Sequence, residues 1–141
     1  AVIRLAADAW LDPAQAAAAI EQARGIARQG RSVVLAIVGT PTPGASSRAL
    51  VQAMAATSEP LLRTAPALLR TGGDTARAVL DRLGVRELEV LGEIEPGICV
   101  SRPARAGAPC VVTKAGGFGD AGALLRVIRR FDNLIREEGR A

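Results

Sequence analysis

A single lysine begins the most glycine-rich segment of the chain. Residues 114–119 have the sequence Lys-Ala-Gly-Gly-Phe-Gly and follow a buried-strand pattern that ends at Thr113. Glycine N–H groups can surround phosphate oxygens, and an ammonium group can neutralise the charge of a transferring phosphoryl group. We therefore predict Lys114 as a catalytic residue, with a solvated lysine at a strand end as the alternative. For Phe118 we favour packing of the loop over base stacking.

A second glycine segment, residues 72–75, has the sequence Gly-Gly-Asp-Thr and also follows a strand pattern. Two glycines let the backbone approach a ligand closely, and the helix start behind them supplies free N–H groups and a positive dipole end. The alternative is a tight turn with Asp74 as a routine N-cap. A carboxylate next to phosphate is unfavourable unless Mg²⁺ lies between them, so Asp74 is either a cap or an indirect metal partner through water.

Two further glycine patterns are weaker. Residues 39–46 have the glycine spacing of a Walker A loop, but Ala45 stands in place of the lysine and two prolines remove N–H donors. Residues 117–122 match the dinucleotide fingerprint, but the following helix is not succeeded by the strand and acidic residue that this motif needs. We favour a plain connection for the first pattern and disfavour dinucleotide binding for the second.

The other charged residues are weaker candidates for a functional site. Glu93 and Glu95 are two residues apart but have no positioned partner, so we interpret their segment as a structural turn. Arg48 and Arg77 lie near helix starts, where we favour exposure to solvent over contact with phosphate. No metal-ligating set is predicted.

Alternation of buried-strand and helix patterns predicts the α/β class, with a three-layer, mainly parallel sheet and helices on both faces. The loops after residues 38, 70 and 113 should then emerge at one edge of the sheet, where such folds bind ligands. Pro60 and Pro66 should break the helix pattern after the second predicted helix. Residues 2–5 are a short apolar run, and the predicted strands are 32–38, 67–70, 87–91, 98–101 and 110–113. The predicted helices are 13–29, 46–57, one that residues 72–75 open and that runs to 83, and 120–138, and residues 102–109 are a predicted loop.

Composition limits the classes of function. The 141 residues fit one domain, 1–141, and the absence of histidine excludes histidine-based catalysis and the usual zinc sites. The net charge of +4 rests on 17 scattered arginines and one lysine, and aromatic residues for base stacking are scarce, which argues against nucleic acid. Two cysteines without CxxC spacing, no long apolar run and no leader pattern favour a cytoplasmic protein without membrane contact.

Three segments together, 71–76, 92–97 and 113–119, resemble in order and spacing the C-terminal nucleotide-binding domain of the four-carbon acid sugar kinases. This family includes 3-oxo-tetronate, threonate and erythronate kinases, and the resemblance covers about residues 30 to 130. It implies ATP- and Mg²⁺-dependent phosphorylation of a hydroxyl group on a four-carbon sugar acid. It implies nucleotide contacts by Gly72, Gly73, Asp74, Thr75, Gly116, Gly117, Phe118 and Gly119. The role of Lys114 comes from its charge and position, not from the resemblance.

Family enzymes are much longer than this chain. The resemblance therefore implies that the sugar acid is recognised by a separate N-terminal domain, and that this chain is a fragment of a longer kinase and is inactive alone. The alternative function is a non-catalytic nucleotide- or anion-binding module that regulates a partner. The identity of the acceptor and the catalytic base lie outside the sequence, and homo-oligomerisation stays open.

Overall fold

The structure, a computed structural model, describes residues 1–104 and 108–138, and the side chains up to residue 130. Helices and strands alternate along most of the chain, which confirms the predicted α/β class. The elements are β1 (Val2–Ala6), α1 (Ala7–Leu11), α2 (Pro13–Ala27), β2 (Val34–Val38), α3 (Ser47–Leu62), β3 (Ala67–Thr71), α4 (Gly73–Leu83), β4 (Leu88–Glu95), β5 (Ile98–Pro103), β6 (Cys110–Lys114) and α5 (Ala123–Glu138).

The first of two compact units comprises Ala1–Arg63 and Arg77–Gly84. Strands β1 and β2 pair in parallel, and helices α1, α2 and α3 bury their apolar faces in a cluster centred on Trp10, which is 1% exposed. Alanine at the buried positions of α2 allows close packing of this cluster. The loop between β2 and α3 is fixed here, because Thr42 donates to Asp8 through its N–H at 2.8 Å and its hydroxyl at 2.6 Å.

The ends of the helices follow local sequence signals, with one exception. The Asp12 carboxylate caps α2 by accepting from the N–H groups of Ala14 and Gln15 at 2.9 and 3.2 Å. The expectation that Pro60 ends α3 is wrong, since the helix continues to Leu62. Pro60 lies in the last turn, where its missing N–H removes one helical bond, and the Arg63 N–H closes the end by donating to the Glu59 carbonyl at 3.0 Å.

The second unit comprises Thr64–Ala76 and Val85–Ala141. Its strands have the order β3-β6-β5-β4 among the described residues, with β3 and β6 parallel and the other two pairings antiparallel. Helix α5 packs Ala123 and Val127 against Ile98, Val100 and Val112, and all of these side chains are buried. Strand β5 continues to Pro103, beyond the predicted end, while residues 105–107 of the predicted loop lie outside the described residues.

The sheet pairing changes the expectation of three loops at one edge. Strand β2 pairs with β1 in the first unit, whereas β3 pairs with β6 in the second. Parallel pairing brings the loops after β3 and β6, residues 72–75 and 115–119, to the same edge of one sheet. Sequence patterns identify each strand but do not specify its partner, and the expectation of a single sheet that includes β2 is wrong because β2 belongs to a separate sheet.

Membrane-spanning character is absent from the helices that the structure describes: each is too short or too polar to cross a bilayer.

Candidate functional site

The two glycine segments of the second unit are joined at their bases by backbone hydrogen bonds. The Gly72 N–H donates to the Lys114 carbonyl at 3.2 Å, and the Ala115 N–H donates to the Gly97 carbonyl at 3.1 Å. The first bond extends the β3–β6 pairing past the ends of the strands, and the second attaches the turn between β4 and β5. All three segments of the sequence pattern therefore meet at this edge of the sheet.

A cavity of about 440 Å³ opens where these segments meet. Its volume is in the range of roughly 300–1,000 Å³ that is usual for small-molecule sites. Two of its lining side chains are cations, and none of the described residues that line it carries a carboxylate. The lining residues are Arg70, Gly72, Gly73, Ala76, Gly97, Cys99, Thr113, Lys114, Ala115 and Gly116.

The residues predicted from the sequence divide into two groups. Those that line the cavity are Gly72, Gly73, Gly116 and Lys114. Those that lie near it in the chain but do not line it are Asp74, Thr75, Gly117, Phe118 and Gly119. The structure thus brings together one glycine pair, one glycine of the second segment and the lysine.

Asp74 does not cap helix α4. The helix begins at Gly73, and the Ala76 N–H donates to the Gly72 carbonyl at 3.1 Å, so Gly72 occupies the capping position and Asp74 lies in the first turn. The amides of residues 73–75 precede this first helical bond and have no intrahelical acceptor. They are positioned, with the positive end of the helix dipole, as donors for an anion.

The cavity-lining glycines 73 and 116 are not required by packing or by backbone conformation. A Cβ atom at either position would meet no atom within 4 Å, and neither residue has a positive φ. In contrast, Gly119 and Gly122 lie against the chain's own side chains, with a Cβ placed 2.8 Å from the Ala123 Cβ and 2.7 Å from Arg126 Nη1 respectively. Of the dinucleotide-like pattern, Gly119 is thus explained by packing and by its φ of 78°, whereas Gly122 meets only the ends of flexible side chains and Gly117 is open. Gly73 and Gly116, unlike Gly117, leave open backbone beside the cavity.

Lys114 turns its ammonium group towards the glycine loop. Nζ donates to the carbonyls of Ala115 and Gly116, each at 3.2 Å. An ammonium group has three N–H donors, so these two bonds leave one for a ligand. The side chain is partly buried, and the residue both holds the loop and presents positive charge to the cavity.

Phe118 covers the turn at Gly97. The Phe118 N–H donates to the Ala115 carbonyl at 3.1 Å, and the ring lies over Gly97, although 52% of the residue is exposed. This arrangement matches the interpretation of Phe118 as a residue that packs the loop.

An ion-pair network lies behind the glycine loop. Arg126 on α5 donates to both carboxylate oxygens of Glu95, at 2.8 and 3.0 Å, and to Asp120 at 2.9 Å. The Glu93 carboxylate accepts from the Gly97 N–H at 2.8 Å. Both glutamates are therefore engaged in structural contacts, but the prediction that they form a turn is wrong, because strand β4 continues to Glu95 and only residues 96 and 97 form the turn.

Replacing Arg126 with glutamine is expected to raise the pKa of Asp120. The hydrogen bond from Arg126 is the largest cause that holds this pKa below 3.8, and the hydrogen bond from the Gly122 N–H is the next. The variant keeps the hydrogen bond from Gly122. The hydrogen bond between Arg126 and the Asp120 carboxylate stabilises the fold when the pH is above the ordinary pKa of an aspartate. This stabilisation is lost as the pH falls through the lowered pKa of Asp120. A titration of the Asp120 carboxyl carbon by NMR checks the shift, and an unchanged pKa would contradict the network.

Arg70 and Cys99 line the cavity but were not singled out in the sequence. Arg70 follows apolar residues on β3, and a charged residue at the end of a buried strand is a signal that could have identified it. Cys99 is a free, partly buried cysteine on β5. The exposed Arg77, in contrast, pairs with Asp81 on its own helix at 2.9 Å.

Comparison with known proteins connects this geometry to a family. Residues 1–124 match the family described as the nucleotide-binding C-terminal domain. A D-threonate kinase of Cupriavidus necator is 39% identical over 112 residues, which cover 76% of this chain and 27% of the kinase.

Two crystal structures of a Bordetella bronchiseptica protein with a domain of unknown function share the fold. They have TM-scores of 0.68 and 0.72 at 24% identity, and the matches cover 89% of this chain and 31% and 33% of theirs. Both are domain-swapped dimers with bound citrate. The chain thus spans about a quarter of the kinase and about a third of these structures.

Proposed function

The chain belongs to the four-carbon acid sugar kinase family, as its C-terminal nucleotide-binding domain, and from this premise we propose that the cavity binds the phosphates of ATP for transfer to a four-carbon sugar acid. Residues 1–141 are proposed to act as one nucleotide-binding module of a longer kinase. The observation that carries the proposal is the pair Gly73 and Gly116, because neither packing nor backbone conformation requires glycine there and both line the cavity.

The chain's own groups would divide the work of phosphate binding. Amide groups at the start of α4 and in the glycine loop would donate to phosphate oxygens, and the Lys114 ammonium would neutralise charge that develops during transfer. Thr75, in the first helical turn, supplies a further hydroxyl donor beside these amides. Positioning and charge neutralisation account for most of the catalysis in phosphoryl transfer.

Mg²⁺ would be held mainly by the nucleotide. Among the described residues no cluster of three or more metal-ligating side chains is present, but magnesium at phosphate sites commonly uses one or two carboxylates together with phosphate oxygens and water. Asp74 is exposed in the first turn of α4, next to Gly73, and would accept hydrogen bonds from the water shell of the ion.

A titration of the chain with Mg-ATP and Mg-ADP tests the proposal. Gly73→Ala is expected to weaken binding by about tenfold, since a methyl group keeps phosphate from the backbone and one charged hydrogen bond has roughly that value. Gly25→Ala, at an open position within α2, is the matched control and should bind as the parent does. No binding by this chain and by the chain joined to its N-terminal domain would overturn the proposal.

The second candidate is a non-catalytic module that binds a nucleotide or another anion. It is favoured by the lack of a carboxylate among the described cavity-lining residues, which leaves the site without a catalytic base of its own. This candidate predicts binding without phosphoryl transfer even when the acceptor-binding domain is present, whereas the first predicts transfer to a sugar acid.

The remaining assignments follow from the kinase proposal. We propose a cytoplasmic protein whose acceptor, a tetronate, threonate or erythronate type of sugar acid, binds to the separate N-terminal domain. The domain-swapped dimers of the Bordetella protein support assembly as a homo-oligomer. Size measurement of the chain joined to its acceptor domain tests this assembly.

A further inference from the structure

Arg70 carries two enclosed hydrogen-bond donors without a partner. It lies near the end of β3, after Ala67, Leu68 and Leu69, and its side chain lines the cavity. Atoms Nε and Nη2 are shielded from solvent and make no hydrogen bond. Buried polar groups in native proteins are nearly always hydrogen-bonded, and a charged group that lacks partners is the most costly exception.

The charge on Arg70 persists at neutral pH. Burial lowers the pKa of the guanidinium to about 10, which is still well above 7. The folded protein therefore holds a mostly buried cation, and none of the described residues that line the cavity supplies a compensating carboxylate. Such a group destabilises the fold unless a ligand supplies the missing negative charge.

The second cation of the cavity is on the neighbouring strand. Arg70 is paired in register with Thr113, and Lys114 follows directly, so both residues lie at the same end of the parallel pair β3–β6. Successive side chains project to opposite faces of a strand, and the two cations share the cavity that opens beyond the strand ends. Two like charges around one cavity repel each other, and an anion in the cavity would relieve the repulsion on both sides.

We propose that Arg70 binds a phosphate group in this cavity through Nε and Nη2, for which the side chain must turn towards the cavity, because both atoms are shielded from solvent in the structure. These two nitrogens lie on one edge of the guanidinium, and their parallel N–H bonds match two oxygens of one phosphate group in a bidentate pair. The assignment of that phosphate to the nucleotide rests on the proposed function. Free phosphate or pyrophosphate offers the same chemistry and provides probes that do not depend on nucleotide binding.

Arg70→Met tests the proposal by two readouts that move in opposite directions. Without ligand, the variant is expected to melt about 3 to 10 °C higher, because an apolar side chain of similar length replaces an unpaired buried charge. Its affinity for pyrophosphate and for Mg-ATP is expected to fall at least about tenfold, as two charge-assisted bonds are lost. Adenosine, which lacks phosphate, should bind to the variant and to the parent with the same affinity.

Two further variants complete the test. Arg70→Lys keeps the charge but not the bidentate edge, and should bind pyrophosphate with intermediate affinity. Arg102→Met, at an exposed position on β5, removes the same charge away from the cavity and should leave affinity unchanged. In the parent chain, pyrophosphate should also shift the Nε–H resonance of Arg70 in a nitrogen-15 NMR spectrum.

The outcomes separate this proposal from the kinase proposal. If the parent binds pyrophosphate but not Mg-ATP, and Arg70→Met loses pyrophosphate, the role of Arg70 stands and nucleotide binding fails. If the parent and Arg70→Met bind both probes equally, the role of Arg70 is overturned while nucleotide binding stands. Absence of binding of phosphate, pyrophosphate and Mg-ATP by the parent overturns both, and a lower melting temperature with unchanged affinity makes Arg70 a structural residue.

Discussion

Replacing Lys114 with methionine, in the chain joined to its acceptor domain, is expected to lower kcat by about 100- to 1,000-fold. This is the usual cost of removing one group that stabilises developing charge in a transition state. Lys114 presents its ammonium group at the edge of the cavity, where a transferring phosphoryl group would be held. The measurement is steady-state turnover with saturating Mg-ATP and a four-carbon sugar acid.

Lys114 also holds the glycine loop, so a second measurement is needed to separate this role from a role in the transition state. Since Nζ donates to the Ala115 and Gly116 carbonyls, the methionine variant also loses two contacts that hold the loop. A role in the transition state lowers kcat and leaves Mg-ADP affinity nearly unchanged, whereas a role in holding the loop lowers both. Arg102→Met is the control for loss of charge, and an unchanged kcat in Lys114→Met would make Lys114 a solvated residue at a strand end.

Most element positions could be predicted because their signals are local. Asp12 and Pro13 start α2, and Gly30 and Gly84, with φ of 72° and 71°, follow α2 and α4. Helix α1 was missed because it has only five residues and its N-cap, Ala6, has no side-chain cap. Apolar runs located the strands, but such a run shows that a strand is buried without specifying its neighbour or direction.

The parts of the candidate site that backbone groups form could be predicted from the sequence. The part that the Arg70 side chain forms could not. Gly72, Gly73 and Gly116 stand out in the sequence because glycine clusters after strands are uncommon and have a direct physical use. Arg70 is one of 17 arginines, and its place after the apolar residues of β3 is a weaker signal than the enclosure of its Nε and Nη2 atoms. That enclosure depends on which strands pair, which is the information that the sequence pattern lacks.

Replacing Gly97 with alanine is expected to lower the free energy of unfolding by about 3 kcal/mol. The residue has a φ of 78°, which costs a residue with a side chain roughly 1–2 kcal/mol. An added Cβ would also lie 2.7 Å from the Cβ of Phe118, an overlap that demands a shift of the loop and costs about 1–3 kcal/mol. Urea unfolding of parent and variant measures the difference.

Gly84→Ala separates the two contributions at Gly97. Gly84 has a similar φ of 71° but open space around its Cβ position, so this control reports the cost of backbone strain alone. Combining Gly97→Ala with Phe118→Ala should recover part of this cost of about 1–3 kcal/mol, because the ring that the new methyl group meets is gone while the Cβ of residue 118, 2.7 Å away, remains. Equal losses in Gly97→Ala and Gly84→Ala, with no recovery in the double variant, would show that Phe118 does not hold the glycine loop against the turn.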